Sequence, residues 1–160
     1  AKKAVFKDYE LGIDKSRYNK LDLHLHSIMV HFPEAIIMIH LILTVLTFLL
    51  GSGTTQLRIL NTISILGILL PFSAVFAISA GFYDANIRIQ TFKTKYILYK
   101  IIFGCIFLLL SIAILILGLP RFLEDMLLII LILDIIGFTF AGLLGLVGGK
   151  LICIVRGKNL

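Results

Sequence analysis

The sequence predicts an all-α protein, a four-helix transmembrane bundle with both termini in the cytoplasm and a polar N-terminal arm. Three observations carry that reading. First, the chain is 59% hydrophobic with a mean hydropathy of +1.07, and its apolar residues fall in four runs, about 28–50, 59–80, 96–119 and 126–149. Each run reaches the roughly 20 residues that a helix needs to cross a hydrocarbon core of about 30 Å. Second, no run alternates polar and apolar residues as a barrel strand would, and in lipid a lone segment pairs its backbone groups only as a helix. Third, the cations are sorted. The N-terminal arm holds Lys2, Lys3, Lys7, Lys15, Arg17 and Lys20. The stretch joining the second and third runs holds Arg88, Lys93, Lys95 and Lys100, and the tail holds Lys150, Arg156 and Lys158. Only Arg58 and Arg121 fall on the opposite side. An excess of Lys and Arg marks the cytoplasmic side, and an even number of spans returns the chain to it. The net charge of +6 is therefore a topology signal. Nucleic acid is not an expected partner; the lipid bilayer is.

Residues 1–27 form the arm. Its start, Ala1-Lys2-Lys3 followed by mixed polar residues, lacks the pattern of a cleavable signal peptide, so the first span is expected to act as its own insertion signal. The alternation Leu21-Asp22-Leu23-His24-Leu25-His26 suits an extended or interfacial segment. The first helix has two candidate starts. Pro33 is favoured at a first helical position. Starting at Ile28 with Ser27 as N-cap gives a longer helix that crosses comfortably, with Pro33 as a tolerated kink. The longer helix is preferred. Gly51, Ser52 and Gly53 then turn the chain.

The second helix carries Pro71 near its middle, where neighbours must satisfy the carbonyl it frees. Beyond it Ser73, Ala77 and Gly81 recur every four residues. The third helix offers Gly104, Ser111 and Gly118. The fourth has the longest small-residue ridge: Gly137, Ala141, Gly145 and Gly149. Such ridges let backbones approach closely, which is how apolar helices associate in lipid. The ridge suits packing within one bundle or a face between subunits, including a homo-oligomer. Residues 1–160 read as a single membrane domain. Cys105 and Cys153 lie in apolar surroundings, and no Cys-x-x-Cys pair occurs, which leaves iron–sulfur clusters and c-type haem unsupported.

Chemistry concentrates in one stretch. All four histidines lie between His24 and His40, running straight into the first span. Ionisable residues within a span are costly and mark functional sites; Glu34, His40 and Asp134 are the clear cases. Asp84 and Tyr83, Tyr96 and Tyr99 fall at the cytoplasmic interface, where aromatic belts are common. With a helix starting at Ile28, His40 lies about 18 Å in from the cytoplasmic end, and Asp134 about 12 Å in from the other face. Both then come near mid-depth and are expected to pair or to share a ligand. A start at Pro33 would separate them by roughly 8 Å in depth. His31 and Glu34, three residues apart, share a face and can hydrogen-bond.

Neutral histidine is a common axial ligand of haem iron. His24 with His31, and His26 with His40, are separated by near-whole turns. That makes them neighbours on one face rather than ligands on opposite sides of a porphyrin. A second ligand would come from another subunit, from Met29, Met38 or Met126, or from the arm folding back. The plainer reading is histidines satisfied by carboxylates.

The string His26-Ser27-Ile28-Met29-Val30-His31-Phe32-Pro33-Glu34-Ala35 resembles the opening signature, His-Pro-x-x-Val-His-Phe-Pro-x-Ala, of an uncharacterised prokaryotic family of small four-helix predicted membrane proteins. Ala77 to Asp84 is similar to that family's Ala-x-x-Thr-Gly-x-x-Asp. Gly148-Gly149-Lys150-Leu151 is similar to its Gly-Gly-x-Leu. Ser27 stands where proline is usual, and Tyr96 and Lys100 occupy a region where relatives often carry histidine. The resemblance implies a multi-pass protein of the prokaryotic cytoplasmic membrane linked to respiratory electron transfer. The expected function is thus a membrane subunit of a respiratory or electron-transfer complex, binding b-type haem or bordering a quinone site. His26, His31 and His40 are the candidate cofactor and iron ligands, with Glu34 and Asp134 as polar support. Its partners would be other membrane or peripheral subunits. The alternatives are a non-catalytic anchor packed through Gly137, Ala141 and Gly145, and a proton path through Glu34, His40 and Asp134.

Overall fold

The computed structural model describes residues 25–50, 53–88 and 95–155. They form four helices: α1 Leu25–Leu49, α2 Thr54–Arg88, α3 Lys95–Leu117 and α4 Leu123–Val155. Each contains a segment long and apolar enough to cross a membrane. The arm before residue 25 lies outside the described residues.

The helices overrun the apolar runs. α1 begins at Leu25 rather than Ile28, so Ser27 sits inside the helix and is not its N-cap. α2 extends beyond the expected 59–80 at both ends, and α4 runs past residue 149 to Val155. The physical reason is that an apolar run measures hydrocarbon thickness, whereas a helix continues through polar residues until a breaker intervenes. Pro33 and Pro71 lie within unbroken helix.

The helices close a ring. α1 packs on α2 and α4, and α3 packs on the same two. Two apolar clusters fill the bundle. One gathers Ile37, Leu70, Ala74, Phe107, Ile114 and Ala141, drawn from all four helices, and is weighted towards the start of α1 and the end of α4. The other gathers Leu60, Ile63, Leu123 and Ile130 towards the end of the short turns. Outside, large apolar side chains such as Phe72, Phe76, Leu109 and Leu128 are exposed. A surface of that kind belongs in lipid rather than water.

Small residues set the helix spacing. A methyl group added at Gly137 would meet Ile37 of α1 at 3.3 Å, and one at Gly104 would meet Ile78 of α2 at 3.6 Å. Ala141 is buried. At Gly145 the added carbon would lie 3.6 Å from Glu34 Oε1, and at Gly149 it would meet nothing. Thus Gly137, Ala141 and Gly145 line the α1–α4 seam within one chain. Gly118 closes α3, where an added carbon would sit 2.7 Å from the Ile114 carbonyl oxygen. The Ser64 hydroxyl of α2 donates to the Gly118 carbonyl at 2.7 Å, tying the end of α3 to the body of α2.

Candidate functional site

Between the two apolar clusters lies one polar layer. The face that α1 turns inward carries Ile37, His40, Thr44 and Thr47, all buried. Successive steps of three and four residues keep them on one stripe of the helix. Facing them, α4 carries Asp134, also fully buried. His40 Nδ1 lies 2.9 Å from Asp134 Oδ2. A carboxylate only accepts, so Nδ1 then carries the proton and Nε2 keeps a lone pair. Thr44 completes the layer. Its hydroxyl lies 2.9 Å from the His40 carbonyl oxygen and 3.0 Å from Asp134 Oδ2, and its single proton is shared between the two.

Two atoms of the layer have no hydrogen-bond partner: His40 Nε2 and Asp134 Oδ1. Nε2 points at α2 where that helix has no side chain. A β-carbon on Gly67 would stand 3.6 Å from Nε2, with Ile114 of α3 at 3.8 Å behind it. Pro71, four residues on, has no N–H to give to the Gly67 carbonyl. Gly67 therefore brings bare backbone close to the imidazole, and its carbonyl lacks its usual helical donor.

Near the termini the same residue types meet under other conditions. His31 Nδ1 lies 3.3 Å from Glu34 Oε2 within α1. The His31 side chain is 77% exposed and that of Glu34 35%. Nine residues separate His31 from His40, about two and a half turns, so the two rings point to opposite sides of α1. The structure therefore does not bring His31 and His40 into one site. The His26 side chain lies outside the described residues. Among the described residues no three His, Cys, Asp or Glu side chains gather where a metal ion could be held.

The layer can be tested for a haem. A porphyrin on Nε2 would have to lie between His40 and α2, where Gly67 already stands at contact range with Ile114 behind it. The residues around His40 do not fit that group as packed.

Thr44 and Gly67 complete the site without standing out in the sequence. Threonine at the fourth residue after a mid-span histidine, and glycine four residues before a mid-span proline, are the signals that would have found them. Comparison of the chain with protein-family models, with curated proteins and with solved structures gives no match. The functional reading therefore rests on the geometry of this layer.

Proposed function

We propose that the chain is an integral membrane subunit that holds and passes a proton at the His40–Asp134 pair, within a respiratory or electron-transfer complex of a prokaryotic cytoplasmic membrane. The observation that carries the proposal is the pair of buried atoms without partners, Nε2 and Oδ1. Leaving a buried polar atom unsatisfied costs about 1–3 kcal/mol, which a purely structural clamp has no reason to bear twice. A proton satisfies either atom. Taken up at Oδ1, it gives a carboxylic acid beside a neutral imidazole. Taken up at Nε2, it gives an imidazolium paired with the carboxylate, and Nδ1 can then release its proton to Oδ2. The net result is one proton moved from the Gly67 side of the ring to the carboxylate, with no change of oxidation state. Reduction of a quinone to a quinol consumes two protons with two electrons, so a proton-handling subunit bordering a quinone site suits such a complex. The sorting of cations puts both termini in the cytoplasm.

The test is infrared spectroscopy of the reconstituted protein across a pH range. A carboxyl or imidazole protonation band that disappears in Asp134→Asn supports the proposal. A wild-type spectrum indistinguishable from that of Asp134→Asn sinks it. A second reading, the non-catalytic anchor, is favoured by the complete burial of both side chains and would then stand.

A further inference from the structure

We propose that Gly67 is a positioning residue that decides where the buried pair keeps an added proton. It withholds an acceptor from His40 Nε2. The pair therefore stores the proton as a carboxylic acid beside a neutral imidazole, and not as an imidazolium–carboxylate ion pair. The proposal rests on the proton-holding reading and adds to it the form in which the proton is held.

A β-carbon on Gly67 would have Nε2 as its nearest neighbour, at 3.6 Å, with the Cγ2 atom and the carbonyl oxygen of Ile114 both at 3.8 Å. No other atom of the ring is among those three, so the ring meets α2 with its Nε2 edge. All three distances are ordinary van der Waals contacts. Packing here therefore admits a small side chain. At Gly137, by contrast, the added carbon would press on Ile37 at 3.3 Å. A serine hydroxyl at position 67, one bond beyond that carbon, would come within hydrogen-bonding reach of Nε2. Glycine offers nothing of the kind, and Nε2 is unpartnered on a side chain that is fully buried.

Uptake of one proton forms one O–H or one N–H bond, breaks none and changes no oxidation state. On the carboxylate it leaves two neutral groups. On Nε2 it leaves an imidazolium facing a carboxylate. A buried ion pair is tolerated only where its remaining N–H groups find acceptors. Nδ1 has Asp134 Oδ2 at 2.9 Å, whereas Nε2 faces Gly67 and has no partner. The neutral form is therefore the cheaper one. Among the described residues, Asp134 from α4 is the titratable group that faces His40. From α2 comes Gly67, with Ile114 of α3 behind it, and Thr44 of α1 bonds to the His40 carbonyl and to Asp134 Oδ2. Ser111, buried on α3, donates to the Leu108 carbonyl at 2.7 Å. Glu34 is six residues from His40, about 9 Å along α1. Lys100 Nζ lies 3.8 Å from the β-carbon position of Gly148, which is 14 residues beyond Asp134 and so about 21 Å along α4.

The experiment uses the full-length protein in lipid vesicles. Histidine ring nitrogens are followed by NMR and carboxyl bands by infrared over the same pH range, with the His40 signals assigned by their loss in His40→Gln. In the wild type, acidification should produce an Asp134-dependent carboxylic acid band while the His40 ring stays neutral. Gly67→Ser should raise the imidazolium share of the protonated pair by about threefold or more, since a hydrogen bond to a charged group is the stronger one. The carboxylic acid band should weaken in step. Gly67→Ala adds the same carbon without the hydroxyl and should behave as the wild type. A role set by bulk alone would move both variants together. Serine and alanine variants with equal imidazolium shares overturn the proposal. So does a wild-type His40 that becomes imidazolium as the pair takes up its proton, an outcome that leaves the proton-holding role intact and does not depend on any variant folding. No pH-dependent signal from either His40 or Asp134 overturns both.

Discussion

Among the described residues are two histidine–carboxylate pairs made of nearly the same parts. His40 and Asp134 join two helices, are fully buried, and stand 2.9 Å apart. His31 and Glu34 lie on one helix, the first open and the second half-buried, and stand 3.3 Å apart. The difference teaches that residue type does not set the worth of such a pair. Surroundings do. In the exposed pair, solvent or lipid headgroups can replace either partner. In the buried pair nothing from outside can: His40 Nδ1 depends on Asp134, and Asp134 depends on His40 and Thr44. The first pair is a local helix contact. The second holds α1 to α4 and places a titratable group at the level where the bundle is most closed.

The largest expected effect comes from breaking the buried pair on one side. Asp134→Leu leaves Nδ1 and the Thr44 hydroxyl without the acceptor they share, and should destabilise the protein by about 2–4 kcal/mol. Thermal unfolding in detergent measures it. His40→Leu combined with Asp134→Leu should be more stable than either single variant, because no orphan group remains. Strictly additive losses in this double-mutant cycle would show that the two side chains are not coupled, and the contrast between the pairs would collapse.

A packing change should separate the pairs by another route. Ala141 is buried on the α1–α4 seam. Ala141→Leu overfills it, at a cost of about 1–3 kcal/mol, and forces α1 away from α4. The contact between α1 and α4 that joins His40 to Asp134 should weaken, while the His31–Glu34 contact, contained in α1, should not. Imidazole nitrogen NMR shifts of the two histidines would report this directly. Equal changes at His31 and His40 would mean that the pairs are not mechanically independent.

Thr44→Val is expected to come next, at about 1 kcal/mol. It removes one hydrogen bond to a group that keeps another partner. Its readout is a modest fall in melting temperature together with a shifted His40 nitrogen resonance. A loss as large as that of Asp134→Leu would make Thr44, not His40, the main partner of the carboxylate.

Much of this contrast is legible in the sequence, for physical reasons that can be named. Bilayer thickness converts directly into run length, so four spans follow from counting. Helix rise converts position into depth, which is enough to put His40 and Asp134 at one level and to put Glu34 elsewhere. Helix ends are less legible, because nothing in an apolar run says where α4 stops after Gly149 or that α1 starts before Ile28. Thr44 is hidden because a threonine in a span satisfies its own hydroxyl on the preceding turn and looks neutral. Gly67 is hidden because its role is an absence: it matters for the side chain it lacks, and only a neighbouring helix gives that absence a meaning. The ridge at Gly137, Ala141 and Gly145 is legible as a seam, but whether it meets another helix of the same chain or another subunit is a property of the packed bundle.

The smallest effect should come from the exposed pair, and its smallness is the sharpest check on the comparison. His31 and Glu34 gain only what two helix neighbours three residues apart gain, about 0.2–0.5 kcal/mol. Screening by salt reduces even that. His31→Ala should therefore leave the melting temperature almost unchanged at low salt, with no detectable difference at high salt. The argument can fail in an informative way. Glu34 Oε1 faces the α4 seam beneath Gly145, so Glu34→Ala also removes a contact between helices, whereas His31→Ala does not. If Glu34→Ala proves much more damaging than His31→Ala, the carboxylate is working on α4 and not on its histidine. The termini end of the bundle would then carry its own cross-helix polar contact. If both variants are equally mild, the pair is a surface feature, and the interior layer at His40 alone sets the polar chemistry of the bundle.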